Sequence, residues 1–345
     1  MLKKIKLNKY KPTIAALLLV ILYSCSELGN QPPENVVLMA SDDGAVIIRQ
    51  YSVFNVTSYS KRGNSTRRYG STTNYLEAFD GTTGEAVSKQ AFKLKGNYKL
   101  IKVTNKHALL KYYNIKKNNQ ELLIVNIPQF SKEFDEAALT AINNGLIFNP
   151  TYTYYNPTGI PGIILKADDA RLYALDEKSG KAILLPDSVD ARMINRRFLQ
   201  LSNIEINNQL LNFTGSRRKK IVATIKGNNT PNAALSSAID FINPYFVGYY
   251  FPQQNKELPL RINNGLLIVS KTKDSNTFEF ILTLIDGSSL QTKWSVTLKN
   301  EKGESSENDL LDIQLHGSNL LVITKNSMNL LDTKSGQWKW NKHFN

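Results

Sequence analysis

The sequence predicts an all-β fold built from repeated four-stranded units, and three observations carry that expectation. A turn signature of Asp, two variable residues, Ser or Thr, and Gly occurs at residues 80–84, 176–180 and 332–336. Anchors of the same kind recur at a spacing near 50 residues. Between anchors, apolar residues alternate with period 2, and few stretches show the 3.6-residue period of a helix.

Composition alone supplies about 0.1 copies of the signature in such a chain; there are three. Each closes an alternating stretch: YLEAFDGTTGEAV at 75–87, LYALDEKSGKAI at 172–183 and LLDTKSGQWKW at 330–340. The chemistry is that of a tight hairpin. The carboxylates of Asp80, Asp176 and Asp332 can cap backbone N–H groups two residues on. Gly84, Gly180 and Gly336 supply the left-handed conformation that closes a short loop. A partial copy has Asp286 but Leu290 in place of Gly. Trp294 and Trp340 each lie eight residues beyond their Asp.

With Asn126 and Lys226 in equivalent positions, six anchors are separated by 46 to 60 residues. A repeat of this length with four strands per unit is that of a β-propeller blade. The expectation is a single propeller domain over 35–345, of six to eight four-stranded blades, six of them counted. Residues 131–142 (SKEFDEAALTAI) are the best helix candidate, and 232–239 (NAALSSAI) a weaker one.

The unit resembles the PQQ-type repeat, Ala-x-Asp-x-x-Thr-Gly followed by a Trp four residues later. Ala78, Asp80, Thr83 and Gly84 match, with Ser88 in place of Trp; Ala174, Asp176, Ser179 and Gly180 match, with Leu184 there. Asp332, Ser335, Gly336 and Trp340 match, as do Asp286 and Trp294 without the Gly. The resemblance implies that the motif Trp docks between neighbouring blades. The chain is also similar to propeller lipoproteins, among them that of the outer-membrane β-barrel assembly machinery.

The N-terminus reads as an export signal. Lys3, Lys4, Lys6, Lys9 and Lys11 precede the apolar run IAALLLVIL at 14–22. That run is too short for a membrane span of roughly 20 residues and suits a signal-peptide core. Residues 1–24 are the expected signal peptide, with Cys25, the only cysteine, as the lipidated first residue of the mature chain. The stretch resembles a lipobox, with Tyr23 where a small residue is usual. Residues 25–34 form a tether. Ser26 favours the outer membrane, facing the periplasm or the surface. Five of the 43 basic residues fall in the signal, leaving 38 against 29 acidic, a net +9.

Catalytic patterns are missing. Quinoprotein dehydrogenases of the resembling family use paired cysteines and acidic calcium ligands, and one cysteine cannot supply the pair. No cofactor, no metal and no catalytic residue are therefore expected. His107, His316 and His343 read as isolated surface histidines. The adjacent carboxylates Asp42–Asp43 and Asp168–Asp169 read as turn caps, since neighbours in a strand point opposite ways. The basic clusters are more informative. Residues 58–75 (SYSKRGNSTRRYGSTTNY) form a long hairpin turning at Gly63 and Asn64, with Lys61, Arg62, Arg67 and Arg68 among tyrosines. Residues 216–220 (SRRKK), with Arg217 and Arg218, and the Arg196–Arg197 pair stand at other strand entrances.

The functional expectation is a non-catalytic scaffold in the bacterial cell envelope. It binds other envelope proteins through its loop faces and the membrane through its lipid. Anionic glycan or lipid are further candidate ligands, and export argues against nucleic acid. One alternative is an accessory protein binding carbohydrate through Tyr152, Tyr154 and Tyr155 or through Tyr245, Tyr249 and Tyr250. Another is an enzyme with its site in a central channel. Cys25→Ala is expected to release the protein to the soluble fraction. An unmodified Cys25 thiol found by mass spectrometry on membrane-bound protein would contradict the lipidation.

Overall fold

A computed structural model describes residues 35–344 except 42–43, 63–64, 89, 95, 97, 105, 115–118, 128, 150–153, 156–162, 188–191, 194, 200–203, 207–208, 226–230, 252–255, 273–278 and 299–309. The chain is nearly all β, and every strand pairing is antiparallel. The first sheet runs Asn35–Ser41, Gly44–Arg62, Ser65–Asp80, Phe92–Lys93. The second runs Lys99–Val103, His107–Asn114, Asn119–Asn126, Lys132–Asp135. The third holds Phe148–Asn149, Ile163–Ala167, Leu172–Leu175 and Ala182–Leu184. The last is Leu310–His316, Asn319–Thr324, Ser327–Asp332 and Gln337–His343. Each is a meander in which sequence neighbours pair, except that in the third Phe148–Asn149 pairs with Ile163–Ala167 across the intervening strand Tyr154–Tyr155.

The intervening chain departs from separate four-stranded sheets. Two meanders, one around Arg218–Ile225 and one around Gly265–Lys271, are fused into an eleven-stranded sheet by Phe241–Phe251. That strand is 11 residues long, enough to pair with both. Tyr154–Tyr155 and Arg192–Met193 form a separate two-stranded sheet. The helix expected over 131–142 begins only at Glu136; residues Lys132–Asp135 are the outer strand of the second sheet. Asp135 caps the helix by accepting from the Ala138 N–H at 2.9 Å, which sets its start. Residues Pro231–Ser236 are strand, not helix, because they pair with Arg218–Ile225.

Five apolar clusters occupy the spaces between meanders. One joins the first sheet (Ile48, Leu76, Ala78) to the second (Leu100, Ala108, Leu110). The next joins the second (Leu109, Ile124) to the third (Ile163, Leu165, Leu175). Two more lie on either side of the Gly265–Lys271 meander, whose strand is buried on both faces. The fifth joins the last sheet (Leu321, Ile323, Leu330) back to the first (Val36, Ile47, Phe79).

A recurring turn locks these interfaces. Gly84, Phe130, Gly180, Leu290 and Gly336 each donate an N–H to the carbonyl four residues back, at 2.8–2.9 Å. All five have φ between 56° and 73°. At the three glycines, an aromatic ring from another unit fills the place of the missing side chain. A Cβ on Gly84 would lie 2.7 Å from Trp340, on Gly336 2.6 Å from Trp294, and on Gly180 3.0 Å from Phe134. The indoles also donate to the turns: Trp294 to the Thr333 carbonyl at 2.8 Å and Trp340 to that of Gly81 at 3.2 Å. At the other two turns the residue itself fills the space. Phe130 and Leu290 are fully buried, and their burial, about 1.5–3 kcal/mol each, offsets a left-handed backbone costing roughly 1–2 kcal/mol.

Gly336→Val is therefore expected to destabilise by about 1–2 kcal/mol from its backbone alone, and further because Trp294 must move. A thermal midpoint equal to that of the unaltered protein would show that the indole does not seat on this turn.

Candidate functional site

Most of the 58–75 segment belongs to a two-stranded ribbon. Gly44–Arg62 and Ser65–Asp80 pair continuously from Val46↔Asp80 to Arg62↔Ser65. Their outer neighbours stop early, at Gln50↔Asn35 on one side and Tyr75↔Lys93 on the other. Beyond Tyr51 and Asn74 the ribbon has no neighbouring strand in its sheet. Gly63 and Asn64 lie outside the described residues, bracketed by the Arg62↔Ser65 pair.

Pairing decides which side chains share a face, because directly opposed residues point the same way. Lys61↔Thr66 and Tyr59↔Arg68 put Lys61, Arg68 and Tyr59 on one face. Arg62↔Ser65, Ser60↔Arg67 and Ser58↔Tyr69 put Arg62, Arg67 and Tyr69 on the other. The four cations are exposed. So are the rings: Tyr59 is 67% accessible, and Tyr69 and Phe54 49% each. A bulge between Val56 and Ser58 bends the ribbon, and Gly70 lets the strands close there, since a Cβ would lie 2.0 Å from the Asn55 carbonyl oxygen.

The base is stiff. Tyr51 is buried and stacks on Tyr75 with ring centroids 5.3 Å apart. The Arg49 guanidinium is fully buried, pairs with Glu77 and lies over the rings of Phe344 at 4.0 Å and Tyr51 at 4.5 Å. Gln50 donates to the Tyr98 carbonyl at 2.6 Å and accepts from the Leu100 N–H at 2.7 Å. Asn74 pairs with Ser52. The ribbon thus rises from a base tied to the second sheet and to the C-terminal strand.

Arg217 and Arg218 occupy the same topological place in another unit, between its second and third strands. Arg217 lies on the exposed connection from Gln209–Thr214 to Arg218–Ile225, and Arg218, also exposed, opens the second of these strands, the two being joined at Thr214↔Lys220. Arg196 and Arg197 lie within strand Asn195–Leu199.

The remaining sequence candidates fall elsewhere. Cys25, with residues 1–34, lies outside the described residues, as do Asp42, Asp43, Tyr152 and Lys226. His107 is not a surface residue. It is buried, and its Nδ1 lies 3.0 Å from Glu177, which also accepts from the Thr104 hydroxyl. Glu177 follows Asp176 in the third sheet's turn, so this contact is another lock between units. Asp168 and Asp169 cap a turn, Asp169 accepting from the Arg171 N–H and the Tyr173 hydroxyl. Tyr249 packs partly buried against an apolar cluster. Among the described residues no group of three or more His, Cys, Asp and Glu is placed to hold a metal. An open cleft of about 710 Å³ lies beside the helix, lined by Tyr98, Glu121, Asp135, Glu136 and Ile147. Burial, then these carboxylates, push the Tyr98 hydroxyl up.

Sequence reasoning missed Phe134 and Phe130. The signal was present: they stand eight and four residues after the Asn126 anchor, the spacings that mark Trp340 and Gly336 after Asp332.

No known family profile matches the sequence, and no curated protein matches it. Comparison with solved structures aligns BamB from Moraxella catarrhalis at 8% identity, over 89% of this chain and 91% of that one, with a TM-score of 0.28. AztD from Citrobacter koseri aligns at 10% over 89% and 85%, TM-score 0.26. A putative 6-phosphogluconolactonase from Bacteroides fragilis aligns at 11% over 89% and 84%, TM-score 0.30.

The turn carboxylates predict an acid dependence. Asp286 accepts from the N–H groups of Ser288 and Ser289 at 2.9 Å each and pairs with Lys293 at 3.0 Å. The Ser289 N–H first, then Lys293, lower its pKa from 3.8 to about 2. A depressed carboxylate contributes stability above its unfolded value that is lost as pH falls through the folded one. Asp286→Asn is expected to be the less stable protein at pH 6, with the difference closing between pH 4 and 2. Parallel acid-unfolding curves would contradict this.

Proposed function

We propose that this protein is a non-catalytic β-propeller lipoprotein of the bacterial envelope. In this reading the six meanders are six PQQ-like blades. Cys25 carries the lipid and Ser26 directs the chain to the outer membrane. The protein acts as a scaffold that holds envelope partners on its loop faces. The ribbon is the observation that carries the reading. A hairpin connection needs two to five residues, whereas this one extends about ten pairs beyond its neighbours on a braced base. Its four exposed cations and exposed tyrosines are the residue types of a binding surface. The buried His107–Glu177 contact and the turn-capping Asp168–Asp169 pair have structural uses.

Replacing Lys61, Arg62, Arg67 and Arg68 together by Ser is expected to leave the thermal midpoint unchanged and to reduce co-purification of cross-linked envelope proteins. The loss should be largest at low salt, since exposed charges are screened beyond about 8 Å at physiological ionic strength. The same partners in the same yield would move the contact to another rim, that of Arg217 and Arg218 being next.

A further inference from the structure

We infer that the ribbon tip docks end-on against the anionic headgroups of the bilayer that carries the chain. The inference rests on the reading of Cys25 as lipidated and of the ribbon as a contact surface, and it names that surface.

The charge distribution is the first argument. Lys61 and Arg68 lie on one face of the ribbon and Arg62 and Arg67 on the other, within the last four residue pairs before the turn. A partner laid against one face, or a strand added to one edge, would meet half of them. A layer that surrounds the tip meets all four. A headgroup layer does this, and anionic lipid attracts basic residues close to its surface. Tyr59, level with Arg68 on one face, and Tyr69, one pair farther from the turn on the other, then stand at the outer boundary of the layer, where amphipathic rings are favoured.

Reach is the second argument. Asn35 pairs with Gln50, so the chain enters the first sheet one residue from where the ribbon leaves at Tyr51, and at the same end. Cys25 is ten residues before Asn35. Fully extended, that tether spans about 35 Å. From Tyr51 to Arg62 the ribbon spans about 37 Å. A tether no longer than the ribbon keeps this end of the sheet within the ribbon's reach of the membrane. The stacked Tyr51–Tyr75 base and the Arg49–Glu77 pair hold the ribbon upright against that surface.

The test uses the full lipidated chain in vesicles of phosphatidylglycerol and phosphatidylcholine that carry a nitroxide on a fraction of headgroups. Thr66→Trp reports from the Lys61 face and Ser60→Trp from the Arg67 face, read against the fluorescence of the unaltered protein. Both reporters are expected to be quenched. Lys61→Ser with Arg68→Ser, and Arg62→Ser with Arg67→Ser, should each weaken the tip–bilayer equilibrium roughly thirty-fold, about fivefold per cation. Quenching of one reporter alone overturns end-on docking. Two unquenched reporters overturn the membrane as the surface; if the four-Ser protein still loses its envelope partners, the ribbon remains a contact for an acidic protein. A chain that does not stay on these vesicles overturns the inference together with the lipid anchor.

Discussion

The contact on which the rest depends is an indole seated on a turn 259 residues away in sequence. Trp340, on the last strand, covers Gly84 and donates to the Gly81 carbonyl. Each of these units buries only part of its apolar surface within itself, because a four-stranded sheet has two faces to cover. Joining the last sheet to the first gives Ile47, Phe79, Leu321 and Leu330 a common interior. The indole hydrogen bond contributes about 0.5–1.5 kcal/mol. Its geometric effect is larger, since it sets the register of two sheets that no strand pairing connects. Arg49 reinforces the same junction, its buried charge compensated by Glu77 and by the Phe344 ring.

The other locks follow one rule of volume. Where the turn has glycine, an aromatic from another unit lies on it, as Trp294 lies on Gly336 and Phe134 on Gly180. Where the preceding unit offers a small residue, the turn itself supplies bulk. Ser88 stands in the motif-Trp position of the first unit, and Phe130 fills the second unit's turn, stacking on Phe92 at 5.9 Å. Close packing leaves no room for both and no tolerance for neither. This explains why the signature can decay in sequence while the turn geometry persists.

The ribbon is the opposite case. It has little burial of its own beyond Tyr51 and Asn74, so it adds nothing to the core and exposes aromatic rings to water. An exposed two-stranded ribbon is marginal in isolation. Here it is carried by its base, where Gln50 and Asn74 are engaged by the neighbouring chain and Tyr51 and Glu77 lock the two strands to each other through Tyr75 and Arg49. The bulge and Gly70 twist it, and the cations on both faces discourage the edge-to-edge pairing that free strands invite.

The sequence by itself determined what is local. Period-2 alternation specified strands, and Asp80, Asp176, Asp286 and Asp332 specified turns, because a carboxylate capping N–H groups two or three residues on needs no distant partner. The cationic hairpin of 58–75 was visible for the same reason: strand and turn signals are short-range. What the tertiary structure decided is what depends on chains far apart meeting. It turned Pro231–Ser236 into strand by offering an edge, fused two meanders through Phe241–Phe251, buried His107 against Glu177, and let Phe134 stand where Trp was expected. It also set which of the four cations share a face, Lys61 with Arg68 and Arg62 with Arg67, since a single bulge shifts the pairing register by one residue. Shape complementarity between units is a pairwise property, and a single chain read in order does not display its pairs.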